Sequence, residues 1–239
     1  MCYNDCGDNM KKLIMFCLII CLCLVGCGKK STHNKDEIVG GWTANTDIKA
    51  VNISDNVSKA FTKATAEYDG MTFEPIALLG TQVVSGTNYM LLCKGTTVTN
   101  NPTTSLKIVI LYNDLNNKSS ITSVKDFDYT QYVNKDIPTN TKQLSGGWTV
   151  YQNMKSATLS TDVKEAFTKA TSVVGVEYTP VAYLGNQIVS GTNYAVLSLA
   201  KTVTAESIYS INVLTIYKDL NGDAKLASVA YVDLEDFNS

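Results

Sequence analysis

The sequence predicts an α+β protein of two tandem domains, each one helix packed on an antiparallel β-sheet of four to five strands. Three observations carry that expectation. A domain-sized block of sequence occurs twice. Each copy contains a short segment with a helical apolar stripe. The rest of each copy alternates polar and apolar residues between turn signals. Gly40-Gly41-Trp42 returns as Gly146-Gly147-Trp148, and Ala60-Phe61-Thr62-Lys63-Ala64-Thr65 returns unchanged as Ala166-Phe167-Thr168-Lys169-Ala170-Thr171. The octapeptide QVVSGTNY, Gln82 to Tyr89, returns as QIVSGTNY, Gln187 to Tyr194. A period of roughly 105 residues suits whole domains and is too long for a solenoid repeat. The expected division is residues 38–132 for the first domain, 133–143 for a polar linker containing Pro138, and 144–239 for the second domain.

Each copy reads in the same order. A short strand follows Gly-Gly-Trp. Val57, Ala60, Phe61 and Ala64 then fall at i, i+3, i+4 and i+7, as do Val163, Ala166, Phe167 and Ala170, which makes one apolar helical face. Ser54 and Ser160 stand where N-caps belong, and Gly70 and Gly175 where stops belong. Further on, Leu106, Ile108, Ile110 and Tyr112 alternate along one strand face, matched by Ile211, Val213, Thr215 and Tyr217. Asp114-Leu115-Asn116-Asn117 and Asp219-Leu220-Asn221-Gly222 interrupt that alternation as hairpin turns. A last strand is expected around residues 121–129 and again around 226–234. A helix covering one face of such a sheet is a stable α+β layering.

The first 27 residues read differently. Lys11-Lys12 precedes an apolar run from Leu13 to Val25, short of the about 20 residues that span a bilayer. This is a secretory signal pattern. Its ending, Leu24-Val25-Gly26-Cys27, resembles a bacterial lipobox, which implies cleavage before Cys27 and a lipid on that thiol. An ordinary signal peptide containing cysteine is the alternative. The acidic Asp5 and Asp8 ahead of the lysines make Met10 a second candidate start beside Met1. Residues 28–37 read as a tether. The expected location is the outer side of a bacterial membrane, in the cell envelope.

Composition narrows the chemistry. With 239 residues, 45% hydrophobic and a net charge of −2, the chain folds and has no electrostatic reason to bind nucleic acid. Of seven cysteines only Cys93 lies beyond the leader and lipobox, so no internal disulfide is expected. The lone histidine, His33, falls in the tether, which argues against Ser-His-Asp or Cys-His catalysis. Cys93, beside Leu91 and Leu92, reads as a buried small hydrophobe, and its counterpart is Ser198. Asp219-Leu220-Asn221-Gly222-Asp223 hints at a calcium loop, but Ala230 stands where the closing Glu would be, so a polar turn is the better reading. The protein is expected not to be an enzyme and to need no cofactor or metal.

The repeated octapeptide carries a family resemblance. Gln82-Val83-Val84-Ser85-Gly86 and Gln187-Ile188-Val189-Ser190-Gly191 resemble the Gln-x-Val-x-Gly hairpin loop of the cystatin superfamily of cysteine-protease inhibitors. The following Thr-Asn-Tyr is similar to the stefins, the disulfide-free branch. Ile38-Val39-Gly40-Gly41 resembles the glycine trunk of that family, and Leu144-Ser145-Gly146-Gly147 is a looser match. The resemblance covers residues 38–132 and 144–239. It departs from many cystatins in the second turn, which lacks Pro-Trp in both copies, as in stefins.

What the resemblance implies is two tandem stefin-like domains on a bacterial lipoprotein. The implied activity is reversible inhibition of papain-like cysteine proteases. In the first domain the implied contacts are Val39, Gly40, Gly41, Gln82, Val83, Val84, Ser85, Gly86 and Leu115; in the second they are Gly146, Gly147, Gln187, Ile188, Val189, Ser190, Gly191 and Leu220. Trunk, loop and second turn would form a three-part wedge that covers the catalytic thiol of the target. The implied partners are the protease and, through the lipid, the membrane; the chain would act as a monomer. The alternative is a non-inhibitory surface lipoprotein that uses the same edges to bind an envelope or host protein.

Overall fold

Strands dominate the chain, because its longest segments are rich in β-branched and aromatic residues and lack helical spacing. The computed structural model describes residues 41–46, 53–133, 147–150 and 159–238. The first sheet runs β1 (Thr43–Ala44), β2 (Met71–Val84), β3 (Gly86–Thr97), β4 (Thr104–Asp114) and β5 (Ser119–Asp126), in that spatial order. The second runs β6 (Thr149–Val150), β7 (Val176–Val189), β8 (Gly191–Thr202), β9 (Tyr209–Lys218) and β10 (Ala224–Tyr231) in the same way. All pairings are antiparallel. The described helices are short: α1 (Asp55–Ala66), α2 (Thr130–Val133) and α3 (Thr161–Ala170), with a single 3₁₀ turn at Leu234–Phe237.

This overturns the expected pair of helix-on-sheet cystatin domains. The molecule is mostly antiparallel sheet, and the face of each sheet turned away from its helix packs on the other sheet. One continuous core contains Ile76, Leu79, Met90, Leu92, Ile108 and Ile110 from the first half and Val181, Leu184, Ala195, Leu197, Ile211 and Val213 from the second. The described residues of both halves accordingly belong to one compact unit. The physical reason is that the central strands are apolar on both faces. Met90-Leu91-Leu92-Cys93 is buried without a break, and so is Ile108-Val109-Ile110-Leu111. Alternate residues of those runs serve different layers. Leu91, Cys93, Val109 and Leu111 meet Val57, Phe61 and Ala64 of α1, while Met90, Leu92, Ile108 and Ile110 enter the shared core. A strand buried on both faces loses the polar alternation that marks a half-exposed sheet.

Two bulges bend β2. Register shifts fall between Pro75 and Ala77 and between Leu78 and Gly80, and the extra residues Ile76 and Leu79 are both buried in the shared core. Proline tolerates such a position because it has no ladder N–H to lose. The second half repeats the device at Pro180/Ala182 and Tyr183/Gly185, burying Val181 and Leu184.

The ends of the last strands are also corrected. Instead of continuing as strand to residues 129 and 234, the chain leaves each sheet at Asp126 and Tyr231. The departing segments cross to the other half. Tyr129 meets Trp148 edge-on at 6.0 Å, and Phe127 and Phe237 approach to 6.1 Å. Glu235 Oε1 accepts the Trp42 N–H at 3.2 Å, Asn238 Oδ1 accepts the Trp42 indole N–H, and Lys125 Nζ donates to the Asn238 carbonyl at 2.6 Å.

Both helices start at the serines named above, but neither Ser54 nor Ser160 makes a side-chain cap hydrogen bond. Helix α1 ends at Ala66, before Gly70. Gly70 and Gly175 instead open the following strands at positive φ, and their carbonyls accept from Val98 N and Val203 N, both at 2.9 Å.

Candidate functional site

The tip of the β2–β3 hairpin is a single-residue bend at Ser85, with Val84 paired to Gly86 and Val83 to Thr87. Strand β4 lies along the other side of β3, so Gly86 is also paired with Asp114. The β4–β5 turn, residues 114–118, therefore stands beside the hairpin tip at the same end of the sheet. The two are tied together: Tyr112 Oη donates to the Ser85 carbonyl at 2.7 Å. The second half has the same tie, Tyr217 Oη to the Ser190 carbonyl at 2.6 Å. Tyr112 and Tyr217 hold matching places in the repeat, and that is the only signal of this role that the sequence carries.

The second turn is held from both sides. Asp114 Oδ1 accepts from the Asn116 and Lys118 amides at 2.8 and 2.7 Å, and Lys63 Nζ in the last turn of α1 donates to the Asn117 carbonyl at 3.0 Å. In the second half Asp219 Oδ1 accepts from Asn221 N and Asp223 N, both at 2.9 Å, and Lys169 Nζ reaches the Gly222 carbonyl at 2.8 Å. Asn117 and Gly222 take the left-handed conformation at the same point of the turn, with φ of 60° and 88°. One Asp219 oxygen is thus committed to turn amides, which is how a polar turn behaves.

Each turn thrusts one apolar side chain into solvent. Leu115 is 81% exposed and Leu220 85%. Val83, Val84 and Ile188 at the hairpin tips are exposed as well, Val189 half so. Large apolar side chains clustered in solvent on a rigid edge are a feature of contact surfaces.

The third piece approaches from the neighbouring strand. Thr43 pairs with Thr81 and Ala44 with Gly80, antiparallel, so the chain traced back from Thr43 to Gly41 runs toward Val83. Likewise Thr149 pairs with Asn186, and Gly147 lies two residues back toward Ile188. Val39, Gly40, Gly146 and the lipobox Cys27 lie outside the described residues.

The two glutamines of the motif are hydrogen-bonded across their strand pair. Asn88 Nδ2 donates to Gln82 Oε1 at 2.6 Å, and Asn193 Nδ2 to Gln187 Oε1 at 2.9 Å. Gln187 is buried. These are cross-strand braces at the tip, and they account for the spacing of Gln and Asn within the octapeptide.

The halves are not identical at this edge. In the second, Asp162 at the start of α3 accepts from both Tyr194 Oη and Lys218 Nζ. The Lys218 hydrogen bond, then that of Tyr194, holds the Asp162 carboxyl below the usual carboxylate range. Burial, helped by the Asp162 carboxylate, pushes Tyr194 up to about 12. The equivalent first-half positions are Asn56, Tyr89 and Asn113, which cannot form that ion pair.

Cys93 is fully buried between α1 and the first sheet, and burial pushes its thiol pKa up. A protonated, inaccessible thiol is a poor nucleophile. No described helix is long and apolar enough to cross a membrane. No protein-family model and no curated protein matches the chain.

Proposed function

We propose that the two edges bind papain-like cysteine proteases reversibly and block their active-site clefts. The observation that carries the reading is the co-location of an exposed apolar hairpin tip, an exposed leucine turn and the incoming glycine segment at one end of each sheet. A narrow cleft admits a blunt edge of this kind with small desolvation cost, because the leading side chains are apolar or small. The tyrosine tie and the lysine clamp support it further: an edge already rigid loses little conformational entropy when it docks. Covering the catalytic thiol without placing a peptide bond in line for attack would leave the inhibitor intact. The reading rests on these edges and on the loop motifs, and does not lean on a cystatin architecture. Lipid attachment at Cys27 would hold the molecule on the outer side of a bacterial membrane, where a protease from the cell, a competitor or a host could meet it.

The test uses soluble residues 28–239 and papain acting on a small peptide substrate. Inhibition should be reversible on dilution. Val84→Asp and Ile188→Asp together should weaken it by roughly 100-fold or more, since each buries a charge in an apolar contact. Undiminished papain activity in a large molar excess of the protein would end the proposal.

A further inference from the structure

The second half carries an apolar patch that the first half lacks. It lies where the connection from α3 to β7 meets the β8–β9 turn, at the end of the second sheet away from its hairpin tip. Val203 N donates to the Gly175 carbonyl at 2.9 Å and Thr202 N to the Ile208 carbonyl at 3.0 Å, so the two loops are tied side by side. Four aliphatic side chains project from them. Val174 is fully exposed, Val203 and Ile208 are 68% and 64% exposed, and Val173 is exposed as well. In the first half Asp69 stands in the place of Val174 and Thr103 in the place of Ile208, with Val98 matching Val203. Aliphatic side chains gathered in solvent on adjoining loops mark a contact surface. Glu206 is the one charged residue within 172–175 and 203–208, and no lysine or arginine lies there, so the surface that fits is apolar and not anionic.

We infer that this patch seats on the bilayer to which Cys27 anchors the chain. This rests on the lipid-anchor reading above and adds which face meets the membrane. What selects a bilayer as the occupant is the place where the anchored segment joins the fold. Trp42, the second described residue, lines the same cavity as Tyr209 and Ser210, which directly follow Ile208. The tether therefore enters beside the patch. From Cys27 to Gly41 the chain reaches at most about 50 Å, against a radius of gyration of about 17 Å for a unit of this size. The lipid alone thus lets any face approach the membrane, and the patch decides which one stays. Tethering also raises the effective concentration of the bilayer, so a small apolar surface suffices to hold it at the headgroup boundary. The consequence falls on the second edge. Strands β8 and β9 run from the patch, where Lys201 pairs with Tyr209, to the tip, where Thr192 pairs with Lys218. With the patch on the bilayer, Ile188 and Leu220 stand at the far end of those strands, open to a protease arriving from outside.

The experiment couples residues 27–239 through Cys27 to phosphatidylcholine vesicles carrying a maleimide lipid; Cys93 is buried, so Cys27 is the thiol that reacts. Amide hydrogen exchange in residues 172–176 and 203–208 should slow relative to the same protein free in solution, while residues 68–70 and 98–103 exchange as before. Val174→Asp together with Ile208→Asp should abolish the slowing without shifting the melting temperature, since both side chains are exposed. Because the contact is apolar, neither high salt nor added anionic lipid should change it. No slowing on vesicles, or equal slowing at the loops of both halves, overturns the patch. So does a free chain that dimerises in light scattering and turns monomeric in the double variant, because a second copy would then be the occupant. The anchor is read separately, by palmitate labelling of the full chain in a bacterial host. An unlabelled wild type overturns the anchor, and the loop protection still decides whether the patch takes a bilayer.

Discussion

At Gly86 and Gly191 the backbone takes φ of 139° and 128°, a region that side chains strongly disfavour. A Cβ on Gly86 would collide with the Asn113 carbonyl oxygen and stand 2.9 Å from the Tyr112 ring; on Gly191 it would meet Lys218 and Tyr217 in the same manner. The glycine of the motif is therefore a requirement of the fold, which lets β4 lie flush against the hairpin tip. Gly86→Val should lower stability by about 1–3 kcal/mol from backbone strain alone, read as a fall in the urea midpoint. Val84→Asp, next to it but exposed, should leave that midpoint nearly unchanged. Equal destabilisation by the two would show that the tip is not rigid in the way described. The motif is plain in the sequence, and so are the polar turns that carry Leu115 and Leu220. The hydrogen bonds made by Gln82 and Gln187 are not, because only the pairing register sets Asn88 and Asn193 opposite them.

The elements bind their neighbours through a few repeated contacts, and the second half adds one the first lacks. Asp162, at the N-terminal turn of α3, couples that helix to β8 through Tyr194 and to β9 through Lys218. Its pKa is lowered in the folded state. The linked stability is therefore present at neutral pH, above the unfolded pKa, and is lost as pH falls through the folded value. Asp162→Asn should lower the melting temperature at pH 7 and make progressively less difference below about pH 4. The carboxylate is largely exposed, so the effect at neutral pH should not exceed about 1 kcal/mol. A difference between variant and wild type that stays constant down to pH 2 would rule out this ion pair as its source. Helices α1 and α3 were themselves legible from the i, i+3, i+4, i+7 stripe, and all four stripe residues of each are buried. Their ends were less so, since Gly70 and Gly175 mark strand starts.

For the whole molecule the shared core outweighs the boundary between the repeats. Cutting the chain near residue 138 would expose Ile76, Leu79, Met90, Leu92 and Ile108 on one side and Val181, Leu184, Leu197 and Ile211 on the other. Each such side chain contributes about 1.5–3 kcal/mol through burial, against a typical total stability of 5–15 kcal/mol. Residues 38–132 and 144–239 expressed separately should aggregate or give broad, uncooperative melting, and inhibition by either alone would not report on the intact protein. A sharp, monomeric, cooperative transition for one isolated half would refute this. It is also why single-edge variants of the full chain are the right way to compare the two edges.

Duplication, the helical stripes, the turn positions and the glycine at each tip are local or near-local properties, and a reader of the residues alone can recover them. How the sheets are covered is another matter. Leu106, Ile108 and Ile110 alternate as if one face were buried under a helix, yet that face meets the other sheet, and Val109 and Leu111 meet the helix instead. Apolar periodicity says that a face is buried; it carries no information about what buries it. That choice, with the crossing of the chain ends, depends on contacts between residues about a hundred positions apart, and it was decided only when the two sheets closed on each other.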